Sequence, residues 1–207
     1  MTERLKYTDL SKPVNTMPFS VDVCVVRVRP ADHPWVQEAH NSVHEQSYEH
    51  LGLLDLDNTD RELSIGAAWN ACVRASTADL LLFLGDDDAL TPDLVSCMVD
   101  GYIWMRKKAP NLIRVSTNCT VLDDDSKLSM VANGLHHTGM FQRAYLLDHP
   151  FDEELCHGVG KAMATSIDHS QRLLGQPLSV GIMHHAGYIY RQHMFMASGN
   201  PIRLHQE

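Results

Sequence analysis

The sequence has no C-x-x-C pair, no apolar run near the roughly 18 residues of a membrane-spanning helix, and no basic-then-apolar opening. Its five cysteines, Cys24, Cys72, Cys97, Cys119 and Cys156, are scattered, several of them in apolar segments. They are expected as buried reduced thiols rather than as disulfides or zinc ligands. The other two absences predict a chain without a membrane span or secretory leader, hence a cytoplasmic one in which the sequon Asn118-Cys119-Thr120 stays inert. Basic residues are also scarce. Seventeen Lys and Arg stand against 26 Asp and Glu, a formal net charge of -9. Such a balance is unsuited to neutralising a phosphate backbone, which disfavours nucleic acid as a partner, a modified-base acceptor apart.

What is present suits one globular domain: 207 residues, 44% hydrophobic and 21% charged. Residues 1–19 are polar, contain Pro13 and Pro18, and read as a loose leader. Residues 21–26 are rich in valine and read as a buried strand. A helix follows near Pro34, with Asp32 as its cap and Trp35, Ala39 and Val43 at helical spacing. Residues 51–56 form a second strand that stops at the turn-forming Asp57-Asn58-Thr59-Asp60. Ser64 caps a helix whose apolar face is Ile65, Ala68, Trp69, Cys72 and Val73.

Residues 80–84, all Leu or Phe, are the strongest buried-strand signal. Thr91 and Pro92 open a helix that Pro110 ends. In the second half, 112–117 reads as a strand, 141–147 as a short helix, 161–174 as a helix capped by Gly175, and 180–183 and 188–191 as extended segments. Alternating strands and helices predict an α/β, Rossmann-like fold with a mainly parallel sheet and helices on both faces. Residues 20–207 are expected to be one domain, with a nucleotide-binding half (20–117) and an acceptor half (118–207).

Ligands of an open α/β sheet sit beyond the carboxyl ends of its strands. Asp86, Asp87 and Asp88 follow the most apolar strand and therefore project into that crevice. Adjacent carboxylates repel one another, and a divalent cation, Mg2+ or Mn2+, relieves the repulsion while leaving coordination positions for substrate phosphates. A solvated acidic turn at a helix start is the plainer alternative. Asp123-Asp124-Asp125, which no apolar strand feeds, reads as such a solvated loop. Arg27 and Arg29, leaving the first strand, either reach a phosphate or are surface charges.

The order of these pieces resembles the family 2 glycosyltransferases. The pieces are Ser42-Val43-His44-Glu45-Gln46-Ser47-Tyr48, then Leu53-Leu54-Asp55-Leu56-Asp57-Asn58, then Ile65-Gly66-Ala67-Ala68-Trp69-Asn70, then Phe83-Leu84-Gly85-Asp86-Asp87-Asp88. The resemblance implies the nucleotide-diphospho-sugar transferase fold called GT-A and a nucleoside diphosphate sugar, a UDP-sugar first, as donor. It implies that Asp57 meets the uracil or ribose, and that Arg27, Arg29, Asn70 and Asp86 belong to the nucleotide-sugar-binding set. Metal falls to Asp87 with Asp86 or Asp88, because Gly85 stands where many members carry the first Asp of Asp-x-Asp-Asp. His193 occupies a position near the diphosphate in some GT-A enzymes and joins the metal candidates. The other histidine pairs, His136-His137 and His184-His185, sit on extended segments where neighbours point to opposite faces, so neither pair chelates.

In the acceptor half, Thr138-Gly139-Met140-Phe141-Gln142-Arg143 resembles the segment lining the sugar pocket, and Phe151-Asp152-Glu153 the family's Phe-Asp-Glu element. Inverting members present a carboxylate base to the acceptor hydroxyl. The nearest stretch here, Gly158-Val159-Gly160, has no acid, so Asp168 is the first candidate and Glu154 the second. Two rival readings stay open. A nucleotidyltransferase would need a Gly-rich loop after the first strand, which Val28-Arg29-Pro30-Ala31-Asp32 lacks. A nucleotide-sugar-binding domain without its base fits the missing acid. The acceptor is left open.

Overall fold

The computed structural model describes residues 4–10, 19–122, 128–132, 139–154 and 179–191. The elements run β1 (Leu5–Asp9), β2 (Val21–Arg27), α1 (Pro34–His44), β3 (Leu51–Asp57), α2 (Ile65–Ala75), β4 (Leu80–Gly85) and β5 (Ala89–Leu90). They continue with α3 (Leu94–Arg106), β6 (Leu112–Leu122), β7 (Leu128–Ala132), β8 (Gly139–Gln142), α4 (Arg143–Asp148) and β9 (Ser179–Arg191). The three apolar runs of the first half become a parallel core, with β2 between β3 and β4, placing Arg27 opposite Asp57 and Val26 opposite Gly85.

These strands are apolar on both faces because both are covered. Val21, Val23, Leu53, Leu82 and Leu84 pack against Ala39 and Val43 of α1 and Leu94, Val95 and Met98 of α3. The opposite face, with Cys24, Leu54, Leu81 and Phe83, packs against Ala68, Cys72 and Val73 of α2 and Tyr145 and Leu146 of α4. Ser64 caps α2 by accepting from the Ala67 N–H at 3.1 Å. A cap contributes about 1 kcal/mol and one buried Leu about 1.5–3 kcal/mol. Packing on the sheet, more than capping, therefore holds these short helices. No helix among the described residues is long and apolar enough to cross a membrane. Cys24, Cys72 and Cys119 are buried and Cys97 is partly exposed, none of them in a disulfide.

Several expectations need correction. The sheet is mixed, in the order β1-β3-β2-β4-β8-β6-β9-β5 with β7 beside β6. Among the described strands, β2–β3, β2–β4 and β6–β9 are parallel, and β1–β3, β4–β8, β6–β8, β6–β7 and β5–β9 are antiparallel. Parallel neighbours need a long crossover, whereas antiparallel ones need only a short return. The crossovers through α1 and α2 give the two parallel pairs of the core, and β8 then inserts antiparallel between β4 and β6.

The expected leader contains β1, an edge strand paired antiparallel to β3 from Leu5 opposite Leu56 to Asp9 opposite Gly52. Its residues 6–9 are exposed, so it lacks the apolar alternation that would announce a strand. The expected helix over 141–147 begins only at Arg143. Met140 and Phe141 instead bury their side chains on opposite faces of the sheet, the period of a strand.

The caps of α1 and α3 also shift: His33 rather than Asp32 caps α1, and Asp93 rather than Thr91 precedes α3. The strand expected over 112–117 continues to Leu122, and the two extended segments near the C-terminus are one strand, β9. The helix expected over 161–174 lies outside the described residues.

Position 66 shows what holds the segment after α4 in place. A Cβ on Gly66 would lie 2.1 Å from the backbone oxygen of Asp152, in the first turn of α2. In an open helix, Gly→Ala stabilises by about 1 kcal/mol. Here the added methyl meets backbone that cannot rotate away, so Gly66→Ala is expected to destabilise by about 1–3 kcal/mol. Thermal unfolding of the two proteins reads the sign directly, and a rise in midpoint would mean that the 151–153 segment is not packed this tightly.

Candidate functional site

The three parallel strands end together, and each contributes charge. At the end of β4, Asp86 and Asp88 are buried and Asp87 is partly so. Asp86 is held from the β2 side. Its Oδ2 accepts the N–H groups of Val28 (2.8 Å) and Arg29 (2.9 Å), and its Oδ1 accepts the Arg29 guanidinium. The same guanidinium donates to Asp87 Oδ2 at 2.9 Å. Asp88 is held from the other side. The Tyr188 hydroxyl donates to its Oδ2 and the Arg191 N–H to its Oδ1, each at 2.9 Å. The Arg191 side chain continues to the Asp87 carbonyl (2.8 Å) and to both carboxylate oxygens of Glu38 on α1 (2.7 Å). Trp35 stands beside both arginines, with guanidinium carbons 5.2 Å (Arg29) and 5.8 Å (Arg191) from its ring centroid.

Across the β2–β3 pair, Arg27 bridges Asp55 (2.6 Å) and Asp57 (3.3 Å). Asp57 Oδ1 accepts the hydroxyl and N–H of Thr59, and the hydroxyl above all holds this carboxyl below its usual range. Its side chain is 43% exposed, so an ionised acceptor faces the crevice. His40 of α1 lies 3.8 Å from Asp55, and burial pushes its imidazole down.

Of the residues expected at the site, Arg27, Arg29, Asp57, Asp86, Asp87 and Asp88 come together at the carboxyl ends of β2, β3 and β4. Asn70 makes a different contact. Its amide exchanges hydrogen bonds with the Phe151 backbone (2.8 and 2.9 Å) and donates to Glu153 (2.9 Å), which fixes the Phe-Asp-Glu element against α2. Phe151 then packs edge-on against Trp69 and Phe83. Glu154 is exposed just beyond. In the segment expected to line a sugar pocket, Met140 and Phe141 are buried in the sheet, and Gln142 donates to the Leu112 carbonyl at 2.6 Å. Asp168, His193, Thr138, Gly158-Val159-Gly160 and Asp123-Asp124-Asp125 lie outside the described residues.

Trp35, Glu38, Tyr188 and Arg191 were not foreseen as part of the site. Tyr188 and Arg191 belong to an extended segment about a hundred residues from the triplet, and only pairing of β9 beside β6 and β5 brings them there.

Both oxygens of Asp86 and both oxygens of Asp88 take protein donors, so position rather than spare acceptor capacity sets Asp87 and Asp88 apart as candidate ligands of an oxygen-preferring divalent cation. Asp87 and Asp88 turn back over Gly85, where a Cβ would lie 3.0 Å from Asp87 Oδ1 and 2.8 Å from Asp88 Oδ2. The two carboxylates thus converge on one space, which any side chain at position 85 would fill.

No family model and no curated protein matches the sequence. The fold does have counterparts among crystal structures. S. aureus TarS 1-349 aligns with a TM-score of 0.58 at 12% identity, over 83% of this chain and 60% of that one. TarS 1-349 in complex with UDP and in complex with UDP-GlcNAc each give 0.59 at 12% identity, covering 84% of this chain and 61% and 58% of theirs. This chain thus spans about three-fifths of the TarS fragment, and the likeness shows a GT-A-like fold.

The buried triplet has a measurable cost. Burial first, and the Asp87 charge second, push the Asp88 carboxyl up to about 8, against the opposing Arg191 N–H and Tyr188 hydroxyl. Burial likewise raises Asp86, although Arg29 opposes it. A carboxyl whose folded pKa exceeds its unfolded value, about 3.9, imposes no penalty below the unfolded value. Stability is then lost as the pH climbs from about 4 to 8, by at most about 1.4 kcal/mol per pH unit. Metal-free protein is therefore expected to melt lower at pH 8 than at pH 5, and Asp88→Asn should flatten that dependence. Melting curves at stepped pH in a chelator test this; parallel profiles for the two proteins would contradict it.

Proposed function

We propose that the protein is a metal-dependent glycosyltransferase that transfers a hexosyl group from a UDP-sugar to an acceptor hydroxyl with inversion. The observation carrying this reading is the joint placement of Asp57, Arg27 and the Asp86–Asp88 triplet at the ends of three parallel strands. Support comes from the fold, shared with a protein whose crystal structures hold UDP and UDP-GlcNAc. In this reading Asp57, kept ionised by Thr59, accepts from the uracil N–H or a ribose hydroxyl. Trp35, beside Arg29 and Arg191, forms the wall near the diphosphate.

Asp87 and Asp88 would hold Mg2+ or Mn2+, with His193 as a further candidate ligand. That ion supplies charge neutralisation for a departing diphosphate. Arg29 already bridges Asp86 and Asp87. A diphosphate competes for that guanidinium, so Arg29 hands its hydrogen bonds from the carboxylates to the donor. The acceptor hydroxyl attacks the anomeric carbon as the bond to the diphosphate breaks. Its proton passes to a carboxylate, Asp168 first and Glu154 second. Asp86, anchored by two backbone N–H groups, orients Arg29 and the turn after β2.

Ligand that binds only the native state raises the melting midpoint by mass action. UDP with Mn2+ is expected to raise it by several degrees, a UDP-sugar at least as much, and Asp87→Ala should abolish the metal-dependent part while keeping a cooperative melt. Failure of every nucleoside diphosphate and nucleotide sugar to shift the midpoint, with metal present, would sink the reading. If binding is established, slow release of UDP from a UDP-sugar without acceptor separates an enzyme from a binding domain. Arg29→Ala should lower that rate about 100- to 1000-fold, the range for losing one preorganised donor to developing charge.

A further inference from the structure

A second cluster of metal-ligating side chains lies where α3 begins against β9. Asp93 precedes α3, Cys97 follows one turn later on the same face, and His185 reaches them from β9. The Asp93 Oδ1 to His185 Nε2 distance is 3.5 Å and the Cys97 Sγ to Asp93 Oδ2 distance 3.8 Å. One donor atom from each residue lies within 4.8 Å of the other two. On β9 it is Tyr188 and Arg191, not His185, that bond Asp88, so this cluster is separate from the acidic triplet.

Three features exceed an ordinary carboxylate–imidazole pair. The donors are one oxygen, one nitrogen and one sulfur, a set that suits zinc and not the hard cations of an all-carboxylate site. Zinc bonds of about 2.0–2.3 Å in a tetrahedron put ligand atoms about 3.3–3.8 Å apart. The Asp93 carboxylate meets His185 through Oδ1 and Cys97 through Oδ2, and one donor atom from each residue within 4.8 Å of the others leaves a short side-chain adjustment to close the set. His185 Nε2 is shielded from solvent and faces the Asp93 carboxylate at 3.5 Å, beyond a well-formed hydrogen bond. The surroundings also hold the ligands in place. The Thr91 hydroxyl donates to Asp93 Oδ1 at 2.9 Å, and the Thr91 N–H ties to the Gly187 carbonyl at 2.8 Å.

We propose that Asp93, Cys97 and His185 bind one zinc ion, with a fourth position open to water. Binding breaks the Cys97 S–H bond, forms the S–Zn bond and releases the proton to solvent. The ion fastens the start of α3 to the strand whose Tyr188 and Arg191 hold Asp88.

Co2+ serves as the optical probe, added to reduced, metal-stripped full-length protein. A single equivalent is expected to give the visible bands of tetrahedral cobalt and a near-ultraviolet thiolate charge-transfer band, both removed by competing Zn2+. Cys97→Ser should abolish the charge-transfer band, and His185→Gln should weaken binding at least tenfold. Asp87→Asn should leave both intact, which distinguishes this ion from any at the triplet. All three ligands reach the surface and the variants are near-isosteric, so each should keep a cooperative melt. Zn2+ should raise the midpoint of wild type and Asp87→Asn but not of His185→Gln. No thiolate band at any cobalt concentration, or a band that survives Cys97→Ser, overturns the proposal.

Discussion

A single buried carboxylate ties the functional end of the molecule together. Asp88 leaves β4, takes the Tyr188 hydroxyl on one oxygen and the Arg191 N–H on the other, and so binds the central strand to β9. Arg191 extends the link to the Asp87 carbonyl and to Glu38, which brings in α1. Leaving one of these buried hydrogen-bonding groups without its partner costs about 1–3 kcal/mol, against a total stability of about 5–15 kcal/mol for an ordinary domain. The geometry of the acidic crevice and the integrity of the sheet are therefore not independent.

The first half was largely legible in the sequence because local pattern and tertiary role coincide there. The valines of β2 and the leucines of β4 are buried on both faces, and a continuous apolar run is the sequence signature of that environment. Ser64 caps the helix it precedes. The acidic triplet sits at the carboxyl end of β4, where charge following the most buried strand must emerge. Arg27 and Arg29 follow from the same inference applied to β2, whereas Asp57 enters through the resemblance of residues 53–58 to a donor-binding element.

What escaped the reading depends on partners distant in sequence. β1 is an exposed edge strand whose only strand-like property is its hydrogen bonding to β3, and side chains do not record it. β8 has four residues, too few to show a period. Asn70 lies on a helix that resembles a donor-binding element, yet it acts on the Phe151 backbone, a role visible only once that segment is seated on Gly66. Tyr188 and Arg191 look unremarkable in their own segment; burial beside Asp88 gives them their part.

The separation between Asp88 and its partners also orders events in time. Tyr188 follows Asp88 by 100 residues, which a ribosome takes about 5–20 s to add. For that interval the nascent chain has its three parallel strands but not the strand that neutralises their acidic end. Closing so long a loop is entropically slow. The crevice is thus among the last parts of the molecule to mature, and until it does the exposed carboxylates keep that end of the growing chain hydrated.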